Sequence, residues 1–237
     1  MKFAINRDAF LGPLQLVSSV VERRQTIPVL SNLLVVANAD GLSLTGTDQE
    51  VELSARVSDV TVSEPGEVTV PARKLVDICR SLPADTEVTV EQSEDKVHLK
   101  CGRFKSQLAT LPVGDFPKVP TDESEQVSVT IGAVQLKGCL SKTSFAMAQQ
   151  DVRYFFNGLL FDLGEKGLTT VATNGQRLAV TSSDGPGQQS PAQFIVPRKA
   201  VGELSRMMSD GDIRLGFSTN HVSVESGSST LISKLID

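Results

Sequence analysis

The stretch that decides the fold covers residues 167–180 and reads Gly-Leu-Thr-Thr-Val-Ala-Thr-Asn-Gly-Gln-Arg-Leu-Ala-Val. Two runs of β-favouring residues flank Thr-Asn-Gly, and Asn and Gly readily adopt the positive φ angles of a tight hairpin turn. The stretch therefore predicts a β-hairpin. Its turn would place Gln176, Arg177 and Leu178 at the mouth of the hairpin, a charged residue beside an apolar one.

The same pattern occurs 126 positions earlier, where residues 41–48 read Gly-Leu-Ser-Leu-Thr-Gly-Thr-Asp. The correspondence continues at this offset and slips to 125 near the end of each copy. Matching pairs include Ile5 with Ile131, Leu33 with Leu159, Val70-Pro71 with Val196-Pro197 and Gly102 with Gly227. A chance alignment of β-rich sequence is the alternative, but proline and glycine positions match as well as apolar ones. A constant long offset is the signature of a duplicated unit.

Within each copy, hydrophobic periodicity predicts the order β-α-β-β-β twice. The predicted helices cover residues 6–24, 72–82, 133–150 and 198–208. We therefore predict an α+β protein with two tandem domains, each a pseudo-symmetric pair of β-α-β-β-β half-units with helices on one face of antiparallel sheets. The expected domains are 1–118 and 126–237, and the Pro- and acid-rich residues 119–125 would form a semi-rigid linker.

Composition places few limits on this architecture. The 237 residues are 40% hydrophobic, and no apolar run approaches the roughly 20 residues of a membrane helix. Three widely spaced cysteines, Cys79, Cys101 and Cys139, argue against a disulfide framework. We expect a reduced, cytoplasmic protein without a leader segment.

Charge is divided unevenly between the predicted elements. The net charge is −5, yet the four predicted helices contain eleven basic and four acidic residues, a net of +7. The rest of the chain therefore carries −12. Such a division produces a local field that the total charge conceals, and it indicates a basic surface suited to an anionic partner.

Residue patterns for catalysis or metal binding are weak. His98 and His221 lie in strand-like runs without a nucleophile signature, and no phosphate-cradling or dinucleotide-binding glycine motif occurs. His98 and Cys101, three residues apart, would face opposite sides of a strand. Asp48 and Glu50 follow a turn and would share a face, either as an acid–base pair or as turn-capping surface groups. We expect no catalytic residue, no metal site and no cofactor. Two other functions are weighed as alternatives, a hydrolase that uses Asp48 or a histidine and a scaffold that binds only proteins.

Several stretches resemble the bacterial β sliding clamp family, the processivity subunit of DNA polymerase III. The resemblance covers the whole chain in order and in register. The stretches are Thr26-Ile27-Pro28-Val29-Leu30, Leu44-Thr45-Gly46-Thr47-Asp48, Val70-Pro71-Ala72-Arg73-Lys74, Gln150-Asp151-Val152-Arg153-Tyr154, Asn157-Gly158-Leu159-Leu160 and Val171-Ala172-Thr173-Asn174-Gly175-Gln176-Arg177-Leu178.

The resemblance implies a non-catalytic ring protein. Members have three such domains per chain and two chains per ring, joined head to tail as a homodimer. Helices line a hole that encircles duplex DNA without reading its sequence. The implied partners are duplex DNA, the polymerase III catalytic subunit, the clamp-loader complex and other proteins with the clamp-binding motif. This chain resembles the first two domains, and we expect that without the third it cannot close a ring.

The resemblance also assigns residues to three surfaces. The DNA-facing positions are Arg24, Arg73, Gln150, Arg153 and Tyr154, with Lys199 as a further candidate. The partner-peptide pocket is Phe156, Thr173, Gly175, Gln176, Arg177 and Leu178. The dimer surface is Lys74, Ile78, Leu82, Arg103, Phe104, Lys105, Ser106 and Gln107.

The pocket departs from the family pattern at three positions. Asn174 and Gln176 stand where some relatives carry Asp and His, and Phe156 replaces a smaller apolar residue, so peptide preference should differ. In the family, the remaining wall of this pocket comes from the third domain. The alternative is that Leu178 is a core strand residue and Arg177 an ordinary surface charge.

Overall fold

The computed structural model describes residues 1–22, 26–119, 125–185 and 191–237. The chain divides into two compact units, Met1–Lys118 and Val119–Asp237, each with its own core. The two units are described separately. Residues 120–124, most of the predicted linker, lie outside the described residues.

Unit 1 contains two helices and nine strands within its described residues. The helices are α1 (Arg7–Ser18) and α2 (Ala72–Ser81). The strands are β1 (Lys2–Asn6), β2 (Asn32–Asn38), β3 (Gly41–Thr47), β4 (Val51–Val57), β5 (Val60–Glu64), β6 (Gly66–Pro71), β7 (Glu87–Ser93), β8 (Lys96–Cys101) and β9 (Phe104–Ala109). They form two antiparallel arrays, β5-β1-β7-β8-β9 and β4-β3-β2-β6.

Unit 2 repeats this plan with eight strands in its described part. The helices are α3 (Ala133–Thr143) and α4 (Arg198–Met207). The strands are β10 (Val127–Gly132), β11 (Gly158–Gly164), β12 (Gly167–Thr173), β13 (Leu178–Asp184), β14 (Ala192–Pro197), β15 (Asp212–Phe217), β16 (His221–Ser226) and β17 (Ser229–Lys234). The antiparallel arrays are β10-β15-β16-β17 and β13-β12-β11-β14.

The two halves of each unit exchange their first strands. In unit 1, β1 joins the meander β7-β8-β9, and β6 joins the meander β4-β3-β2. In unit 2, β10 and β14 make the corresponding exchange. This arrangement confirms the predicted α+β fold of pseudo-symmetric half-units, because each half needs the other to complete its sheet.

Strand registers preserve the sequence repeat. Leu33 pairs with Val70, and 126 positions later Leu159 pairs with Val196. Between β7 and β8, Thr89 pairs with Lys100, and 125 positions later Arg214 pairs with Glu225, so the offset of 125 preserves the register as well. Since a slip of one residue would turn every side chain to the opposite face, the repeat in the sequence fixes which face of each strand is buried.

Each unit is held together by a separate aromatic and aliphatic core. In unit 1, Phe3 and Phe10 pack edge to face with ring centroids 6.0 Å apart. In unit 2, Phe217 stacks on Phe194 at 4.4 Å and lies 6.1 Å from Phe161. Aromatic pairs at these separations add to the stabilisation from burial, so each unit has a complete core around its helices.

Two predicted helices are too long. The helix predicted over 6–24 ends at Ser18, where Ser19 Oγ donates to Leu16 O at 2.6 Å and Val20 and Val21 turn into the core. The helix predicted over 133–150 ends at Thr143 and tightens into a 3₁₀-helix, Ser144–Ala146. There Thr143 Oγ1 and Ser144 Oγ donate to carbonyls four residues back, at 2.8 and 2.6 Å. Hydroxyls bonded in this way compete with the helical ladder, which periodicity does not reveal.

One strand was not predicted. Residues 60–64 form β5, which pairs with β1 at the edge of the five-stranded array. The sequence pattern indicates only the turn at Glu64-Pro65-Gly66. The strand extends the first half-unit without changing its order.

Candidate functional site

The predicted hairpin forms, and side chains of the turn fix its shape. β12 pairs with β13 up to Thr173 and Leu178. Thr173 Oγ1 donates to Arg177 O at 2.8 Å and accepts from Gly175 N at 3.0 Å. Asn174 Oδ1 accepts from the amides of Gln176 and Arg177, both at 3.0 Å. Leu178 is 67% exposed, which excludes the alternative that it is a core residue.

A second segment, residues 148–157, is closed by its own hydrogen bonds and forms the aromatic loop. Asp151 N donates to Asn157 Oδ1, and Asn157 Nδ2 donates to Asp151 O, both at 2.9 Å. Ala148 N donates to Phe156 O at 2.9 Å. The loop ends in the 3₁₀-helix Tyr154–Asn157, whose rings project from a fixed backbone.

An ion pair braces the aromatic loop. Arg153 donates from its backbone N and from Nε to Asp151 Oδ1, at 2.9 and 3.0 Å, and from Nη2 to Oδ2 at 2.9 Å. These side-chain and backbone bonds lower the pKa of Asp151 to about 2, and the same carboxylate raises the pKa of Arg153. A bidentate pair of this kind fixes the guanidinium in one plane.

The aromatic loop meets the hairpin turn at Gly175. The Arg153 guanidinium lies 4.5 Å from the centroid of the Phe156 ring. A Cβ on Gly175 would lie 3.3 Å from Arg153 Nη2 and 3.7 Å from Phe156 Cε2, and its φ is 86°. Glycine adopts this left-handed conformation without strain, and its missing side chain permits the close approach of the two segments.

A cavity of about 360 Å³ lies where the two segments meet. It is lined by Ala148, Gln149, Asp151, Arg153, Asn174, Gly175 and Gln176. Of the six predicted pocket residues, Gly175 and Gln176 line this cavity. Thr173, Arg177 and Leu178 belong to the same turn without lining the cavity, and Phe156 lies against Gly175. The structure also places Arg153, predicted to face DNA, in this cluster, with its charge paired to Asp151.

The other predicted DNA-facing residues lie on separate elements. Gln150 and Tyr154 are exposed on the aromatic loop, Tyr154 by 60%. Arg73 is exposed on α2, and Lys199 is half-buried on α4. Arg24 lies outside the described residues.

The division of charge persists with the observed helix ends. The four helices carry nine basic and three acidic residues, a net of +6, and the rest of the chain carries −11. Residues 19–24, which belong to the first predicted helix but not to α1, carry a net charge of +1, so leaving them out lowers the net charge of the helices by only one. The basic character of the helices is therefore not a product of the overlong helix prediction.

The predicted dimer surface is an exposed strand edge. Within the described residues β9 pairs with β8 alone, and Arg103, Phe104, Lys105 and Gln107 are exposed. Leu82, assigned to the dimer surface, is only 5% exposed and lines a depression of about 680 Å³ with Arg103 and Phe104. Of the apolar residues predicted for this surface, Phe104 is 38% exposed on β9 and Ile78 is half-buried on α2.

Sequence reasoning missed two residues beside the hairpin. Arg198 Nη1 donates to Met147 O at 3.1 Å and Ala148 O at 3.4 Å, and so fastens the start of the aromatic loop to α4. Phe145 is 58% exposed, with the Arg177 guanidinium carbon 5.8 Å from its ring centroid. On a helix of about 100° per residue, Phe145 falls opposite the apolar face of Leu136, which marks it as an exposed aromatic residue.

The rival acid–base pair, Asp48 and Glu50, forms a capped turn. Asp48 Oδ1 accepts from Glu50 N at 2.9 Å and Val51 N at 2.8 Å, which is the turn-capping arrangement. In the part of the chain that the structure describes, no group of three or more His, Cys, Asp or Glu side chains could hold a metal ion. Nor do these residues include a helix long and apolar enough to cross a bilayer.

Comparison with known proteins identifies relatives over the whole chain. The family described as DNA polymerase III beta subunit, N-terminal domain, matches residues 1–120, and its central domain matches residues 119–237. Proteins named beta sliding clamp from Pseudomonas aeruginosa and Escherichia coli are 48% and 45% identical over 240 residues, which cover all of this chain and 65% of each relative.

Solved structures agree with the sequence relatives. The crystal structure of DNA polymerase III subunit beta from Pseudomonas aeruginosa has a TM-score of 0.96 at 47% identity, covering this chain completely and 65% of that protein. A sliding clamp from the same organism bound to griselimycin has a TM-score of 0.95 at 48% identity over the same shares. The chain therefore spans about 65% of the length of the relatives that it matches.

Proposed function

Because this chain belongs to the DNA polymerase III beta-subunit family, we propose that it supplies two domains of a cytoplasmic DNA sliding clamp. The clamp encircles duplex DNA and tethers the replicative polymerase, the clamp loader and other motif-bearing partners without catalysing a reaction itself. In this proposal residues 1–118 and 126–237 are the first and second clamp domains, and residues 119–125 link them. The observation that carries the proposal is the division of charge, with a net of +6 on four helices and −11 elsewhere.

The division of charge suits a protein that slides. Basic side chains on helices attract phosphates without reading bases, so binding is independent of sequence and sensitive to salt. A ring gains retention by closure, so weak attraction to phosphates suffices and does not arrest movement. The exposed Arg73 and Lys137 belong to this proposed surface.

The DNA test uses a chimera in which this chain continues into the C-terminal domain of the Pseudomonas aeruginosa relative. Loaded on primed circular DNA, the chimera should be retained until the circle is cut, and it should lengthen polymerase products. Reversing charge at Arg73 and Lys137 should weaken retention and lower the salt slope by roughly 0.9 for each DNA phosphate that the protein no longer neutralises. Lys96→Glu and Lys166→Glu, exposed on strand and turn, are the matched controls. Equal retention on cut and closed DNA, or no effect of helix reversal, would contradict the proposal.

The hairpin turn and the aromatic loop are the proposed partner site. Leu178 and Phe156 offer apolar surface, Gly175 permits close approach, and Arg177 with Thr173 borders the site. This combination of apolar surface and polar rim suits a short extended peptide. Arg177→Ala or Leu178→Ala should weaken binding of a clamp-motif peptide to the chimera with little change in melting temperature. Val134→Ala, which alters a side chain 81% exposed elsewhere on α3, is the control.

The edge of β9 is the proposed first-domain side of a head-to-tail dimer, with Lys74 and Ile78 on the adjacent helix. An unpaired strand edge next to apolar side chains is a surface that proteins normally cover. Sedimentation should show a monomer for the 237-residue chain and a dimer for the chimera. Phe104→Asp should dissociate the chimera, whereas a stable closed dimer of the unextended chain would overturn this assignment.

A further inference from the structure

Phe145 is an exposed aromatic residue on a rigid base. Its neighbours in the chain are anchored, since Ala146 and Met147 are buried and Thr143 Oγ1 bonds to Cys139 O at 2.8 Å and to Thr170 Oγ1 at 3.2 Å. The Phe145 ring nevertheless remains 58% exposed. A large apolar side chain held outward by a buried backbone is unusual for a residue whose only role is packing.

Hydrogen bonds hold the backbone of Arg177, while its guanidinium has no ion-pair partner in the described part of the chain. The turn bonds its N to Asn174 Oδ1 at 3.0 Å and its O to Thr173 Oγ1 at 2.8 Å. Among the described residues no carboxylate lies within ion-pair distance of its guanidinium. The guanidinium carbon instead lies 5.8 Å from the centroid of the Phe145 ring.

The site therefore has two arginine–aromatic pairs of different character. Arg153 over Phe156 is neutralised by Asp151 at 2.9 Å, whereas Arg177 over Phe145 keeps its charge available. Leu178 follows Arg177 in the chain, and Leu178 and Val180 lie on the same face of β13, 67% and 57% exposed. A free cation beside exposed aliphatic surface complements a ligand with a carboxylate beside an apolar group.

We propose that Phe145 is a positioning residue of the partner site, which holds the Arg177 guanidinium beside Leu178 and so favours peptides with an acidic residue next to an apolar one. This inference rests on the proposed partner site. The ring attracts the guanidinium through its quadrupole and limits the orientations that a long exposed side chain would otherwise adopt. A partner carboxylate then meets a cation that is already oriented.

The test compares two fluorescein-labelled six-residue peptides on the chimera. Both contain three apolar residues, and they differ only by Asp or Asn beside one of them. The wild-type protein should prefer the Asp peptide. Phe145→Leu, which keeps apolar volume but removes the ring, should reduce that preference by roughly two- to five-fold, the range expected for an exposed cation–π interaction.

The controls separate positioning from general packing. Phe145→Tyr should restore the preference, Val134→Ala should leave it unchanged, and Phe145→Leu in an Arg177→Met background should have no further effect. The melting temperature should be the same for all, since the substituted side chains are exposed.

Three outcomes would overturn the inference. If the Asp preference survives Phe145→Leu, the ring does not position Arg177. If Phe145→Leu and Phe145→Tyr weaken both peptides equally, Phe145 contributes apolar surface alone. If the wild-type chimera binds neither peptide, the proposed partner site is wrong and this inference falls with it. This outcome differs from the first two, because both of those require that the peptides bind.

Discussion

The two copies of the hairpin turn have the same hydrogen bonds and different surroundings. In unit 1, Thr47 Oγ1 donates to Val51 O and accepts from Gln49 N, both at 3.0 Å, as Thr173 does in unit 2 with Arg177 and Gly175. The third turn residue is left-handed in both copies, with φ of 78° at Gln49 and 86° at Gly175. The copies differ most in the exposure of the residue that follows the turn. Val51 is 1% exposed, whereas its counterpart Arg177 is exposed.

This divergence shows how a duplicated scaffold carries different surfaces in its two copies. The backbone of the turn is set by its own Thr and Asx side chains, so the following residues are free to change without loss of the hairpin. In unit 1 those residues include buried Val51 and Leu53. In unit 2 they are Arg177 and Leu178, which face solvent beside the aromatic loop.

The largest expected difference concerns the leucines after the two turns. Leu53→Ala removes a side chain with 0% exposure and should lower the free energy of unfolding by about 2–5 kcal/mol. Leu178→Ala removes one that is 67% exposed and should change it by less than about 0.5 kcal/mol. Urea unfolding of the two variants measures both values. Leu178 occupies the position of Glu52 in unit 1. A loss at Leu178 as large as that at Leu53 would mean that the Leu178 side chain contributes to a core despite its exposure.

A smaller difference is expected from the threonines that begin the turns. Thr47 is 0% exposed, so Thr47→Val leaves the buried Val51 carbonyl without its hydroxyl donor and should cost about 1–3 kcal/mol. Thr173 is partly exposed, and water can replace the missing bonds, so Thr173→Val should cost about 0.5–1.5 kcal/mol. Thermal melts of the two valine variants measure these costs, with Thr47→Ser and Thr173→Ser as controls that keep the hydroxyl. A greater loss of stability in Thr173→Val than in Thr47→Val would contradict the prediction.

The left-handed residues test whether glycine serves the turn or the site. Gly175→Gln copies the residue of unit 1 and should cost about 1 kcal/mol, since Gln49 shows that the turn accepts a side chain there. It should also reduce peptide affinity, because the new Cβ would lie 3.3 Å from Arg153 Nη2. Gln49→Gly should change stability by less than about 1 kcal/mol and leave peptide binding unchanged. Unchanged affinity in Gly175→Gln would show that glycine serves only the turn.

The features shared by the two copies were predictable from sequence. The turn residues specify their own geometry within a few positions, and the offsets of 126 and 125 carry the strand registers with them. The order of elements, the antiparallel sheets and the location of the hairpin all follow from this local and periodic information.

The features that distinguish unit 2 were not predictable, because they depend on partners distant in the chain. The aromatic loop is closed by bonds between Asp151 and Asn157 and fastened by Arg198, 51 residues from Met147. The apolar periodicity predicts a helix that extends beyond Thr143 and Ser144. A sequence pattern does not show that the hydroxyls of these residues bond to preceding carbonyls, where the helix ends. The resemblance to clamps supplied the predicted pocket residues, but pairing of Arg153 with Asp151 and of Arg177 with Phe145 required coordinates.

The smallest expected effect is a response to acid confined to the aromatic loop of unit 2. In unit 1 the corresponding 3₁₀-helix, Pro28–Ser31, follows Ile27, so the position of Arg153 carries no charge there. The pKa of Asp151 is lowered from its ordinary value of 3.8 to about 2, chiefly by the Arg153 side chain. The stabilisation from this pair is therefore complete above about pH 4 and is lost as the pH falls towards 2. Backbone amide shifts of residues 149–157 should move in that window, less so in high salt because the pair is exposed. Asp151→Asn should abolish the response, and residues 26–31 should not show it. An equal response in both loops would assign the effect to general acid expansion of the chain.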